Sequence, residues 1–593
     1  MESINVFMKR FLIIPVLLLY LLYGNILHGD VYEVGSGKTY SRIIDCPTHN
    51  LKAGDIIKVY SKSTPYYEKF LLYGAGTADN PIILQGIPDE EGNKPIIDGK
   101  NAVSSTAVDY WNEDRQIIKI GQFENYLSDH IIIDGFVIRN ANNTHSFVDD
   151  SGNTKIYSQK ACAVRPEYAD NVTLKNCEVY NNGIGIQNGH GNPQNMTVEK
   201  CNIYNNGSGV SSSEYCHNLY FAAGGEGSKV TVQFCRVGDL VGDGQQFKSR
   251  VETAVIRYNW IEGGKNSQLD LVDNDDNGVS DAYVYGNVII KPADTDNNRM
   301  IHFGGDGGGG DIPRAGTLYF FNNTCIINAV ASAGRIFEIS SPDANIVADN
   351  NIFYKNTGTP ITVWRTNQNI RGNYNWLSDT ITEVDVFTNN IIGEFPGFFD
   401  FDNKDFHLKD TSVCIDVVTD YTFPLNHNLE YQYVKELSFE SRIITNNALD
   451  LGAFEYNENN ITVWETAYNK LFKSRNDLKL LRQYRDKVLS VIKNGKMYTT
   501  LLYNSSEKAL KILLGDPELM FQAKYLIYVN MDAVSEVIKG NDGVVYNTSK
   551  VASFLDEYAK KSPQPLKDLA NMVKKEMLKS KMQNKTFLGF ILR

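Results

Sequence analysis

NVTLKNCEVYNN (171–182), NMTVEKCNIYNN (195–206) and SKVTVQFCRVGD (228–239) are one phrase written three times. In each, two alternating apolar residues lead to a small or polar residue, and another apolar residue follows two places on. Cys177, Cys201, Cys235, Asn259, Asn287, Asn323, Asn351 and Asn373 take the equivalent place, at intervals of 24, 34, 24, 28, 36, 28 and 22 residues. Alternation sends successive side chains to opposite faces of a strand. Repetition at this period marks a solenoid, in which each unit buries its apolar side only by stacking on its neighbours. A unit of 22 to 24 residues suits one coil of three short strands, and longer intervals are the same coil with loops inserted. Stacked side chains point in parallel, a poor geometry for a disulfide. Cys177, Cys201 and Cys235 are therefore expected as buried thiols sharing one stack with the later Asn residues.

The pattern extends in both directions. Residues 31–99 alternate like strands between Gly/Pro/Asn turns, and HIIIDGFVIRN from His130 begins the regular repeat with Ile133 and Ile138 inside. Coils are expected to about Asn375, with FHLKDTSVCIDVV and LDLGAFEY closing the solenoid. From about Thr462 the period becomes 3.6, as in ETAYNKLFKSRNDLKLLRQYRDKVLSVIKNG ending at Gly495, so an all-α domain follows. Charge divides at the same place. From Ile461 onward there are 23 Lys+Arg against 13 Asp+Glu, whereas the preceding part holds 35 against 57. The tail's Lys residues are spread along helices, which argues against a nucleic-acid partner. Met8-Lys9-Arg10 followed by the apolar run Phe11–Tyr23 reads as a secretory signal peptide, too short for a membrane span. The expected organisation is signal peptide 1–29, solenoid 30–460 and helical domain 461–593, exported to the medium or cell surface with no membrane span after cleavage.

These coils resemble the right-handed parallel β-helix proteins, a group rich in pectate, alginate and chondroitin lyases and in polygalacturonases. The resemblance covers roughly Val31 to Tyr456 and implies an all-β right-handed parallel β-helix acting on carbohydrate. HNLYF…FKSR…RYNWI…SQLDLVD (217–273) is similar to a group of bacterial β-helix proteins, and QFKSR resembles the Phe-Lys pair of one pectate lyase family. LRQYRDKVL with LLYNSS resembles a helical C-terminal extension on bacterial exported proteins, although the Cys-Phe-Ile box usual before it is missing.

Outward residues on consecutive coils form a stripe. The strand after each phrase places Phe247, Leu269, Leu271, Ile301, Phe303, Phe337 and Ile339 inside. It turns Lys248, Arg250, Gln268, Asp270, His302 and Glu338 outward, with Asn218 and Tyr220 one coil earlier. Two cations, carboxylates and an imidazole on one face suit an acidic polysaccharide. β-Elimination beside a uronate carboxylate needs a base, a cation for the enolate-like charge and a proton donor for the leaving oxygen. The expected roles are Lys248 as base, its pKa lowered by Arg250 at i+2, Arg250 as neutraliser, and His302 or Tyr220 as acid. Asn218, Gln268, Asp270 and Glu338 are expected to bind substrate. A polysaccharide lyase is the favoured reading. The alternatives are a non-catalytic glycan-binding surface module, with the same charges pairing across coils, and an inverting hydrolase.

DLVDNDDNGVSD (270–281) offers Asp273, Asp275, Asn277 and Asp281 as hard oxygen ligands, so Ca²⁺ is the expected ion, although the loop departs from the EF-hand pattern. NGHG (188–191) resembles the Gly-His-Gly phrase of polygalacturonases, but their Asn-Thr-Asp and Arg-Ile-Lys phrases are missing. GGDGGGGD (304–311) lacks the Gly-Lys-Ser/Thr of a phosphate loop and reads as a loop beside the groove. Trp111, Trp364, Trp376 and Tyr374 are candidates to stack sugar rings.

Overall fold

The computed structural model describes residues 29–109, 111–122, 127–189, 191, 195–208, 216–221, 225–272, 280–295, 299–306, 312–329, 334–356, 358–366, 369–435, 437–456, 515–539 and 548–582, with a few isolated positions besides. Within them the β part is a right-handed parallel β-helix, the hand that parallel crossover connections take. One turn of the chain, for example Lys229–Gln233, Arg236–Val237 and Gln245–Ser249, contributes a strand to each of three sheets. Those sheets hold 15, 11 and 14 described strands and pair in parallel almost throughout.

The alternation seen in sequence becomes three inward columns. Val172, Met196, Val230, Ala254 and Ala282 align in the first sheet. Val179, Ile203, Val237, Ile261, Ile289, Cys325, Phe353 and Leu377 align in the second. Phe247, Leu269, Ile301 and Phe337 align in the third. All of these are buried in one continuous core.

The repeated small or polar position lies at the turn between the first and second sheets. The residue before it, among them Asn176, Phe234, Tyr258, Gly286 and Asn350, has φ between 50° and 65°, which reverses the chain sharply enough to start the next strand. The Cys177 and Cys201 amides donate to the sulfur one coil on, at 3.4 and 3.5 Å, and the Cys235 amide donates to Asn259 Oδ1 at 2.9 Å. From there each Asn amide donates to the next Asn side chain through Asn287, Asn323 and Asn351. The stack ends at Asn375, whose Oδ1 accepts from the Asn351 amide at 3.0 Å. Asn373, assigned to it from spacing, instead aligns with Asp349 and bonds its carboxylate. All eight cysteines are free and buried, and burial holds the Cys177 and Cys201 thiols well above their usual range.

FHLKDTSVCIDVV and LDLGAFEY do not close the solenoid. After the last coils, residues 398–456 return along the outside and cover a second apolar cluster of Trp260, Tyr285, Val288, Ile326, Ile352 and Trp376. Trp260 stacks on Phe406 with ring centres 5.5 Å apart, Tyr258 Oη donates to Asn428 O at 3.1 Å, and Asn322 Nδ2 donates to Asp450 O at 3.0 Å. Beyond this strap, helices run over Pro517–Ile538, Thr548–Lys561 and Gln564–Met582. Of the helix expected over 465–495 only Leu480, Gln483 and Tyr484 are described, and they are helical; the rest lies outside the described residues, as does the apolar run 11–23. Among the described residues, no helix is long and apolar enough to cross a membrane.

Candidate functional site

The third sheet presents the expected stripe. Gln187, Tyr220, Lys248, Asp270, His302, Glu338 and Arg365 are direct neighbours on successive coils, at the strand spacing of about 4.8 Å. Their inward neighbours Phe247, Leu269, Leu271, Ile301, Phe303, Phe337 and Ile339 are all buried, so rigid packing fixes where the polar groups stand.

Charge within the stripe is closely paired. Lys248 Nζ lies 3.2 Å from Asp270 Oδ2, an ionic contact whose angles do not make it a hydrogen bond. Lys248 Nζ also donates to Asp306 Oδ2 at 2.7 Å, and Arg250 Nη2 donates to that same oxygen at 2.6 Å. Arg250 Nε donates to the Tyr220 hydroxyl at 3.3 Å. Asp270 is fully buried. Its Oδ1 meets His302 Nδ1 at 2.6 Å and lies 3.5 Å from Arg299 Nη2. His302 Nε2 meets Ser340 Oγ at 2.7 Å. Glu338 accepts from Thr366 Oγ1 at 2.6 Å and pairs with Arg335. Beneath Tyr220, burial and then the charge of Lys248 push His217 down to about 3, so it stays neutral.

Several expectations need correction. The Lys248 ammonium is not disfavoured. Burial opposes its charge, but Asp270 and Asp306 outweigh that and raise its pKa above the usual lysine value. Asp270 loses even more solvation, yet Lys248, His302 and Arg299 hold it well below the usual carboxylate range. It is thus the buried anchor of the charge network, not an exposed ligand for substrate. Asn218 and Gln268 are also fully buried. Asn218 Nδ2 donates to Gly238 O at 2.6 Å and Gln268 Nε2 to Gly264 O at 2.5 Å. They satisfy the turns entering this sheet and are not available to bind substrate. Glu338 remains on the surface of the stripe.

Of the proposed metal ligands, Asp273, Asp275 and Asn277 lie outside the described residues, as does His190 of the NGHG phrase. Asp281 is described, and its Oδ1 accepts from the Thr317 amide at 2.7 Å. No group of three or more candidate metal-binding side chains occurs among the described residues. Of the four aromatic candidates, Trp111 is exposed, at 38%, with Lys119 Nζ 3.8 Å from a ring centre. Trp376 is buried, Trp364 packs against the core and Tyr374 against the outer cluster. Sequence reasoning missed Asp306, Arg299 and Ser340. Asp306 is the acid in GGDGG, whereas a serine just after a strand carries no signal of its own.

No family model and no curated protein matches this chain. Among solved structures it is similar to pectate lyase Pel9A, at 13% identity over 72% of this chain and 96% of that one, with a TM-score of 0.43. It is also similar to an alginate lyase from Paenibacillus sp. str. FPU-7, at 13% identity over 54% and 92%, with a TM-score of 0.38. A PL6 family polysaccharide lyase from Pseudopedobacter saltans aligns at 13% identity over 65% and 97%, with a TM-score of 0.32. These are likenesses of fold.

Proposed function

We propose that this protein is exported, binds an acidic polysaccharide along the stripe from Gln187 to Arg365, and cleaves it by β-elimination. One observation carries the reading: Lys248 and Arg250 converge on a single carboxylate oxygen, Asp306 Oδ2, at 2.7 and 2.6 Å. Two fixed cations converging on one oxygen form a carboxylate site, and a uronate carboxylate entering there would displace Asp306. The same cations would then stabilise the negative charge that builds up as the adjacent C–H proton leaves.

The geometry supports the following roles. Lys248 belongs to the clamp, because its two carboxylate partners favour the ammonium form. Tyr220, whose hydroxyl accepts from Arg250 Nε, is the group placed to move the proton. His302 has both ring nitrogens engaged, by Asp270 and by Ser340, so it is not assigned the elimination acid. Ca²⁺ at the 273–281 loop is retained as part of the proposal, with no step assigned to it.

The test is an ultraviolet-absorbance screen against pectate, alginate, chondroitin and heparin-type polymers, with and without calcium. Unsaturated product that is lost in Lys248→Ala and Tyr220→Phe is the expected result. Reducing ends without absorbance would favour hydrolysis, and binding without either product would favour a recognition module. N-terminal sequencing of protein recovered outside the producing cell tests export, with cleavage near Gly29 expected.

A further inference from the structure

We propose that Ser340, His302 and Asp270 form a nucleophilic relay that removes short acyl esters from the bound polymer. Its protein half rests only on geometry, while the sugar as carrier of the ester rests on the polysaccharide reading above.

Three successive coils supply the three residues. Asp270 is fully buried, His302 is 2% exposed and Ser340 is partly exposed at the end of the Gly334–Ile339 strand. The contacts run in one line, Asp270 Oδ1 to His302 Nδ1 at 2.6 Å and His302 Nε2 to Ser340 Oγ at 2.7 Å. An ionised Asp270 can only accept, so Nδ1 carries the hydrogen, and in the neutral imidazole Nε2 then turns its lone pair to the serine. That is the nucleophile–base–orienter arrangement by which hydroxyl groups are activated, recognised by geometry and not by sequence order.

The surroundings fit the same purpose. The Gly305 amide donates to Ser340 Oγ at 2.8 Å. A Cβ on Gly304 would stand 2.7 Å from that oxygen and 2.6 Å from the Ser341 nitrogen, so a glycine is needed where the serine is seated. The resting hydroxyl also lies 2.7 Å from Gly305 O. Of its two acceptors, only the imidazole can take the proton away. Arg299, Arg335, Glu338 and Thr366 line the stripe near this point and leave it polar, which disfavours a long apolar acyl chain and suits one of the acetyl class.

In the first step Ser340 Oγ bonds to the ester carbonyl carbon and its proton passes to His302 Nε2. The C–O bond to the sugar then breaks, the sugar oxygen takes that proton, and the acyl group stays on Ser340. Water attacks the acyl-enzyme, gives a proton to Nε2, and the carboxylic acid leaves as the proton returns to Oγ. Ester and water become acid and alcohol, with no other reactant.

The test uses the full chain with three probes: p-nitrophenyl acetate, acetylated polyuronate, and a fluorophosphonate followed by peptide mapping. The expected result is an adduct on Ser340 and acetate release that falls by about 10⁴-fold or more in Ser340→Ala, since loss of the nucleophile in such relays costs up to about 10⁶-fold. Ser340→Ala removes one oxygen, and an unchanged unfolding midpoint confirms that it folds. His302→Gln is expected to abolish the adduct while Ser340 is still present. Hydrolysis of the aryl ester but not the polymer would uphold the relay and count against the polysaccharide reading. No adduct, or equal acetate release from wild type and Ser340→Ala, would overturn the relay.

Discussion

Asp306→Asn is expected to tighten binding of an anionic polysaccharide. In the free protein the Asp306 carboxylate occupies the clamp proposed for a uronate, so binding there pays first for its displacement. Two charge-assisted contacts at 2.7 and 2.6 Å are lost, on a side chain that is 27% exposed. Discounted for solvent, each is worth about 0.5–1 kcal/mol, or about 1–2 kcal/mol together. At about 1.4 kcal/mol per tenfold, the variant's Kd should fall about 5–30-fold. Asn keeps the shape and removes the charge, and Lys248 keeps Asp270 as a partner at 3.2 Å. Calorimetric titration with oligouronates at low salt measures the effect, which should shrink as salt screens both the clamp and its ligand. An unchanged or weaker affinity in Asp306→Asn would refute the idea that this carboxylate stands in a substrate site.

Replacing Asn287 by Leu should cost about 2–6 kcal/mol in denaturant unfolding. It strips partners from the buried Asn259 amide and the Ile256 carbonyl, at about 1–3 kcal/mol for each orphaned group; a loss below 1 kcal/mol would contradict a continuous Asn stack. Trp260→Ala should cost about 3–5 kcal/mol, because the ring is 3% exposed between the second sheet and Phe406 of the strap. Limited proteolysis should then cut first within 398–456. The stability that wild type holds over Lys248→Met should be flat between about pH 5 and pH 9. Lys248 is raised, so its share is full below the unfolded value near 10.4 and is lost only as pH rises through the folded one; Asp270 is depressed, so its share is full above about 3.9 and is lost as pH falls through its folded value. Thermal unfolding across pH checks this, and a steady fall from pH 7 to 9 would mean that Lys248 deprotonates there.

The period of the chain determined the coil. Apolar alternation is local, and one coil separates Lys248 from Asp270, so their side-by-side placement was legible without coordinates, as was the run on to His302 and Glu338. The order of the thiol and Asn stack was legible for the same reason, apart from the final step to Asn375. Electrostatics were not. Arg250, two residues away, pointed to a weakened ammonium on Lys248, whereas its partners Asp270 and Asp306 come from 22 and 58 positions along the chain and reverse the sign. Alternation also names the side of a strand but not what covers it. Alternation had turned Asn218 and Gln268 outward, but their register partners further along the sheet, Met300 and Ile336, belong to the core, and both side chains bond the neighbouring turns. The strap had left a trace. Outward residues of the second sheet change from Glu178, Asn202 and Arg236 to Trp260, Val288, Thr324 and Ile352, a mostly apolar column that marks a strand buried on both faces. Ser340 had left none. A repeat specifies which residues share a face, since each coil is set by its own few residues. Cover, charge partners such as Asp306 and the contact of Ser340 with His302 belong to the tertiary structure, because they depend on loops and coils that meet only when the solenoid is wound.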